Sequence, residues 1–431
     1  MNFTQKSTLA LLGKFLSSFL GLVISVLLAR YLSVSGVGQY QLILSTQVLI
    51  ITILAMGFGN ASVFFINNKK IERKIIVSNL LKVFFFISLF LTIVLGYSIY
   101  SYKNYFGDLD FISILFFVVG SGTLLIYNIL MPVLYASLEI IRLQILGLSS
   151  TLLLLLGMIT LNYLIEFDIN HTILLVGLGN IVSTLILFYY LRKDIDIYCS
   201  IDFQLIKNLF FYGIKISAVN FVFILSSNSV IFLIKHYLEN DGFTGVGLFS
   251  RATSIANILI LLPTTLGPLF YSKWSRLDKD ELYLEVEKLM RIMIFITGIS
   301  SFIIFLFGEK ILIVLYGKEF VGAKTALSIL SFSVVFSSIT IILSNVFSSI
   351  GKPGLILKVF VYSLIITTLF SVLLIPVLNI NGAAIAVLLG ILFNSIILSY
   401  YCKKEINLSI KKSMFLNKND VNYFIKALKA R

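Results

Sequence analysis

The sequence predicts an all-α integral membrane protein of about twelve transmembrane helices, arranged as two similar halves. Three observations predict it. The 431 residues are 58% hydrophobic and only 13% charged, with a mean hydropathy of +1.01. Apolar stretches of about 20 residues recur along the whole chain, each long enough to cross roughly 30 Å of hydrocarbon as a helix. They are continuous rather than alternating, which selects helices over the strands of a membrane barrel. Finally, one short pattern occurs twice at the same topological place.

In order, the first six spans fall near residues 9–29, 40–66, 76–101, 111–136, 143–165 and 172–191. The second six fall near 209–234, 245–270, 289–307, 326–350, 356–378 and 382–401. No small-residue cleavage site follows the first span, so it is expected to be retained. The domains expected are a six-helix bundle over 1–191, a cytoplasmic linker over 192–208, a second bundle over 209–402 and a basic tail over 403–431. In the tail Val421, Phe424, Ile425 and Leu428 share one helical face, which predicts a short amphipathic helix on the inner leaflet.

Charge fixes the expected orientation. The odd-numbered connections hold Arg30, Lys103, Lys235, Lys310, Lys318 and Lys324 against eight acids, Asp108, Asp110, Glu166 and Asp168 among them. The termini and even-numbered connections hold about 24 basic and 12 acidic residues. Basic loops stay in the cytoplasm, so both termini are expected there, in a cytoplasmic or inner membrane. The same rule accounts for the net charge of +14 without nucleic acid. Cys199 and Cys402 lie far apart on the cytoplasmic side, and His171 and His236 are expected in loops without ligand partners. No metal and no cofactor is expected.

The repeat links Arg30-Tyr31-Leu32 and Gly36-Val37-Gly38-Gln39-Tyr40 to His236-Tyr237-Leu238 and Gly245-Val246-Gly247-Leu248-Phe249. Six spans separate the copies, which gives both halves the same polarity across the membrane.

Several short motifs then carry a resemblance. They are Leu28 to Leu32 with Gly36 to Tyr40, Phe211-Tyr212-Gly213, Leu262-Pro263, Pro268-Leu269, Leu315-Tyr316-Gly317, Ile350 to Pro353, Ile375-Pro376 and Asn381 to Ala386. On them the chain resembles the polysaccharide flippases of the multidrug/oligosaccharidyl-lipid/polysaccharide exporter superfamily, the O-antigen (Wzx-type) translocases in particular. One departure is Ser33-Val34-Ser35, where the family often has an acidic residue or proline. The resemblance implies two six-helix bundles around a central cavity, working by alternating access. It implies translocation of a polyprenyl-pyrophosphate-linked oligosaccharide for O-antigen or capsule synthesis. The partners expected with it are membrane lipid, a polysaccharide polymerase and chain-length proteins, with the chain itself a monomer.

Such a transporter must carry an anionic headgroup through apolar solvent. Lys14, Lys82, Lys215 and Arg251 fall inside the spans, and no Asp or Glu does. A charge inside a bilayer costs roughly 3 kcal/mol or more, so these four are the candidate cationic lining. Snorkelling to the inner interface is the competing role for the three lysines. Ser18 and Ser25 follow Lys14, and Asn220, Ser226 and Asn228 follow Lys215, as a candidate polar wall. Arg30 stands at the outer mouth. The lack of intramembrane carboxylates argues against a multidrug cation exporter. Short external loops argue against a membrane polysaccharide polymerase or glycosyltransferase, and the chain is not expected to be an enzyme.

Overall fold

The computed structural model describes residues 3–409 and 413, apart from 138, 197, 275 and 276. The expected amphipathic helix at Val421–Leu428 lies outside the described residues. Among these the chain is helical, with no strand.

The first half runs α1 (Phe3–Tyr31), α2 (Val34–Ala55), α3 (Phe58–Asn67), α4 (Arg73–Ser101), a short α5 (Lys103–Phe106), α6 (Phe111–Ala136), α7 (Ile140–Leu164) and α8 (Ile169–Leu191). Next come α9 (Phe203–Tyr237), α10 (Gly242–Leu259), α11 (Leu261–Trp274), α12 (Lys279–Leu315), α13 (Lys324–Ser349) and α14 (Pro353–Ile406). Ten helices are long and apolar enough to cross a membrane, and α10 with α11, bent by 51°, makes an eleventh span. The 54-residue α14 folds back at Asn379, whose φ of 52° and ψ of −136° are not helical, so it supplies two spans. Twelve spans result among the described residues.

Local chemistry explains where helices start. Ser33, in the expected loop, caps α2 by accepting from the Gly36 amide at 3.1 Å. Asp110 caps α6 and Asp168 caps α8 in the same way, at 3.0 Å each. His171, expected in a loop, lies in the first turn of α8 as the reciprocal half of a capping box. His236 likewise lies in the last turn of α9. Both corrections have one cause: hydropathy places the apolar segment and says nothing of polar residues recruited to its ends.

Contacts divide the chain into two compact units, Met1–Phe221 and Val222–Arg431, with the boundary inside α9. In the first unit α6 is central and packs against α2, α3, α4, α7 and α8. Glycine makes its closest crossing: a Cβ on Gly120 would lie 2.4 Å from the Gly177 carbonyl oxygen, and one on Gly177 would lie 2.3 Å from that of Phe116. In the second unit α13 is central, against α10, α11, α12 and α14. Each unit has a broken second helix and a positive-φ glycine after its third span, Gly107 at 82° and Gly317 at 109°. The repeat read in the sequence extends to these features.

Candidate functional site

Helix periodicity places Lys14, Ser18, Gly21 and Ser25 within about 60° of one another on α1. Lys14 is exposed, Ser18 and Ser25 are half-buried, and the Gly21 Cβ position has nothing within 4 Å. The first unit therefore leaves Lys14 and the Gly21 position uncovered. Arg30 is exposed in the last turn of α1, where the helix dipole favours a cation.

Lys215 is also exposed, two residues beyond a tight crossing of α9 over the break between α2 and α3. Met56 and Gly57 turn that break with φ of 41° and 73°. A Cβ on Gly213 would lie 2.8 Å from the Met56 carbonyl oxygen, so glycine is required there. Ser217 accepts from the Asn60 amide at 3.4 Å, and Tyr212 stacks on Phe64 at 4.2 Å. Along α9 the expected polar wall splits. Ser226 lies on the Lys215 side, whereas Asn220 and Asn228 lie on roughly the opposite one. Asn228 donates to its own helix at Ile224 O, 2.9 Å.

Lys82 is half-buried, and its ammonium donates to the Cys199 carbonyl. It holds the connection after α8 rather than standing open. Arg251 is only 3% exposed, inside the second unit. Its guanidinium lies 5.7 Å from the ring centre of Tyr316, the residue that ends α12. A cation suits a helix C-terminus, so Arg251 has a packing role beside any ligand role.

The structure corrects the charge inventory. The ninth span is part of a 37-residue helix, about 55 Å long. Arg291 lies within the span read from hydropathy, and it pairs with Glu287 one turn earlier. Both side chains are 11% exposed. Tyr283, one turn further back, hydrogen-bonds Glu287. A buried carboxylate thus does occur in a span-forming helix, neutralised by its own arginine. The reading missed it because Glu287 falls just outside a 19-residue apolar window. Spacing of i, i+4 between acid and base was the available signal. Lys358, exposed in the first arm of α14, was passed over too.

The acids of these loops serve structure. Asp110 and Asp168 are helix caps, and Asp108 pairs with Lys103 at 2.8 Å. Burial raises the Asp168 pKa, but hydrogen bonds from the His171 amide and the Asn170 side chain outweigh it, leaving the carboxyl below its ordinary range. No cluster of metal-ligand type occurs among the described residues.

Comparison with known proteins decides the family. Residues 3–270, more than half of the chain, match the model of the polysaccharide biosynthesis protein family. The chain belongs to that family. It is 29% identical over 322 residues to the capsular polysaccharide biosynthesis protein CapF of Staphylococcus aureus, covering 69% of this chain and 79% of that one. It is 22% identical over 172 residues to the probable low-salt glycan biosynthesis flippase Agl15 of Haloferax volcanii, 39% of this chain and 36% of that one. The fold matches an inward-facing multidrug resistance MATE family transporter of the MOP superfamily, with TM-score 0.75 and 14% identity over 93% of this chain and 98% of that one. It matches the lipid II flippase MurJ in an inward closed conformation equally well, with TM-score 0.75 and 15% identity over 94% and 89%. This polysaccharide biosynthesis protein is therefore a multi-pass membrane protein with the fold of the exporter superfamily that the sequence resembled.

Proposed function

We propose that this family member flips a polyprenyl-pyrophosphate-linked oligosaccharide from the cytoplasmic to the outer leaflet by alternating access, for a cell-surface polysaccharide. The family match over residues 3–270 carries the polysaccharide assignment. The uncovered cations at membrane depth support an anionic cargo. Lys14 and Lys215 are the proposed first contacts of the headgroup, because both are exposed on helices that enter from the basic side. Arg251 joins the route only where the second unit opens around it. Both termini are assigned to the cytoplasm of a bacterium or archaeon on the charge count.

Fold similarity to a multidrug transporter favours a second reading, export of a cation. It needs a carboxylate able to take that cation, and Glu287 is already neutralised by Arg291. The test is polymer display at the surface of a flippase-deleted host, with membrane protein level measured alongside. Lys14→Glu with Lys215→Glu should abolish display, because repulsion replaces a charge-assisted contact worth roughly 1.5–3 kcal/mol. Normal display from the stable double variant would show that these lysines do not meet the cargo.

A further inference from the structure

The connection from α8 to α9 lies along the first turns of α4, inside the first unit. Arg73 Nε is 2.9 Å from Asp194 Oδ2, at an angle too oblique for a hydrogen bond. Lys74 Nζ is 2.9 Å from Asp196 Oδ2. Ser78 Oγ accepts from the Asp196 amide at 2.8 Å, and Asn79 Oδ1 accepts from the Asp202 amide at 2.6 Å. Lys82 closes the row by donating to the Cys199 carbonyl. Two carboxylates and a carbonyl thus face three cations spaced along about 13 Å of one helix.

We propose that Arg73, Lys74 and Lys82 form a docking site for a diphosphate, and that Asp194, Asp196 and the Cys199 carbonyl are its built-in occupant, displaced when a diphosphate arrives. This deepens the flippase reading and rests on it for the identity of the anion. The charge balance supports exchange. The cluster holds four cations, Arg142 being the fourth, against Glu139, Asp194 and Asp196, with Glu72 beside Lys74. Undocking the strap removes two of the three paired carboxylates and leaves four cations against Glu139 and Glu72. The occupant is held loosely enough to leave: Lys74 and Asp196 are 52% and 30% exposed, so their pair is screened by water. A guanidinium fork fits phosphate as well as carboxylate, and a diphosphate carries its charge in one compact group. The connection also leads straight into α9, which carries Lys215, so releasing the strap frees the start of that helix.

The two cysteines make the test direct. Cys402 is fully buried, whereas Cys199 is half-buried on the strap, its sulfur 3.9 Å from Asn79 Nδ2. The full-length protein in lipid vesicles is treated with a maleimide, and labelling of Cys199 is timed. Undecaprenyl pyrophosphate should raise the rate at concentrations where phosphatidylglycerol does not. A matching rise with inorganic pyrophosphate would identify the diphosphate alone as sufficient, and a rise with the lipid only would identify its membrane-bound form. Asp194→Asn with Asp196→Asn, nearly isosteric, should label about tenfold faster without any ligand, as expected for losing one exposed and one half-buried ion pair. Lys74→Ala gives a second, milder route to the same loosening. An unchanged rate with both diphosphates, or an equal rise with phosphatidylglycerol, would overturn the proposal. Flipping is followed in the same vesicles: flipping with a constant labelling rate removes the strap mechanism alone, whereas absence of flipping counts against the transport reading.

Discussion

Replacing Glu287 by Ala removes the carboxylate one turn before the buried Arg291. Both side chains are 11% exposed, so water replaces little of what is lost. Removing one partner of a buried pair costs about 3–5 kcal/mol. The helix geometry lowers that figure. If Leu315 marks the outer edge, about 20 residues span the hydrocarbon, so Arg291 sits roughly one turn beyond its inner edge. An arginine there can reach water along its stem, and the expected loss is about 2–3 kcal/mol. That corresponds to a fall of roughly 2–3 °C in the unfolding midpoint for a chain of 431 residues. The assay is thermal unfolding of the solubilised protein, followed by exposure of the fully buried Cys402 thiol. Glu287→Gln should lose less, because its amide still accepts from Arg291. Glu287→Leu with Arg291→Met should return to within about 1 kcal/mol of the native protein, since apolar packing replaces a buried pair at little cost. A double variant as unstable as Glu287→Ala would refute the pairing argument. A stable Glu287→Gln protein that no longer transports would refute the claim that this carboxylate is only a counter-ion.

Three further outcomes follow from the structure. Gly177→Ala drives a Cβ into backbone of α6 and should cost about 1–3 kcal/mol in the same unfolding assay; Gly147→Ala, with nothing within 4 Å, should be neutral. Lys74 hydrogen-bonds Asp196 and holds its carboxyl below the usual value of 3.8, so strap docking is fully supported above that value and lost as pH falls through the lower, docked one. Pepsin cutting within 192–202 should therefore accelerate on acidification below about pH 4 and approach the rate of Asp196→Asn, which shows no such step. Reporter fusions after Arg431 should be active only as cytoplasmic reporters, and a periplasmic activity there would remove the twelve-span topology.

Span number was legible because it is a property of residue averages, and the repeat because its short motif recurs at one topological place. The fold-back of α14 at Asn379 falls in the gap read between the last two spans, where polar Asn379 and Asn381 interrupt the apolar run. The bend after α10 was legible only as Pro263 and Pro268 within a span, since a proline announces strain without an angle. What was not legible depends on partners distant in sequence. Nothing near Ser78 announces Asp196, 118 residues away, so the strap read as a linker and Lys82 as an open cation. Glu287 and Arg291 were different: their spacing was visible, and a window that averages hydropathy discards it.

These differences decide which intramembrane polar residues deserve a functional role. Gln47 donates to Ser121 at 2.7 Å, Ser149 and Ser183 meet at 2.7 Å, and Thr184 donates to Thr123 O at 3.2 Å. Such contacts between helices are the ordinary glue of a membrane bundle, which lacks a hydrophobic drive to hold its helices together. They satisfy one another and leave nothing for a cargo. Lys14 and Ser18, beside Gly21, are the opposite case. Their own unit leaves Lys14 exposed, and Gly21 keeps the space beside it open. Lipid is a poor partner for an exposed ammonium, so the surface facing Lys14 must be polar for part of the transport cycle. A face that neither packing nor lipid accounts for is where an anionic headgroup has something to bind.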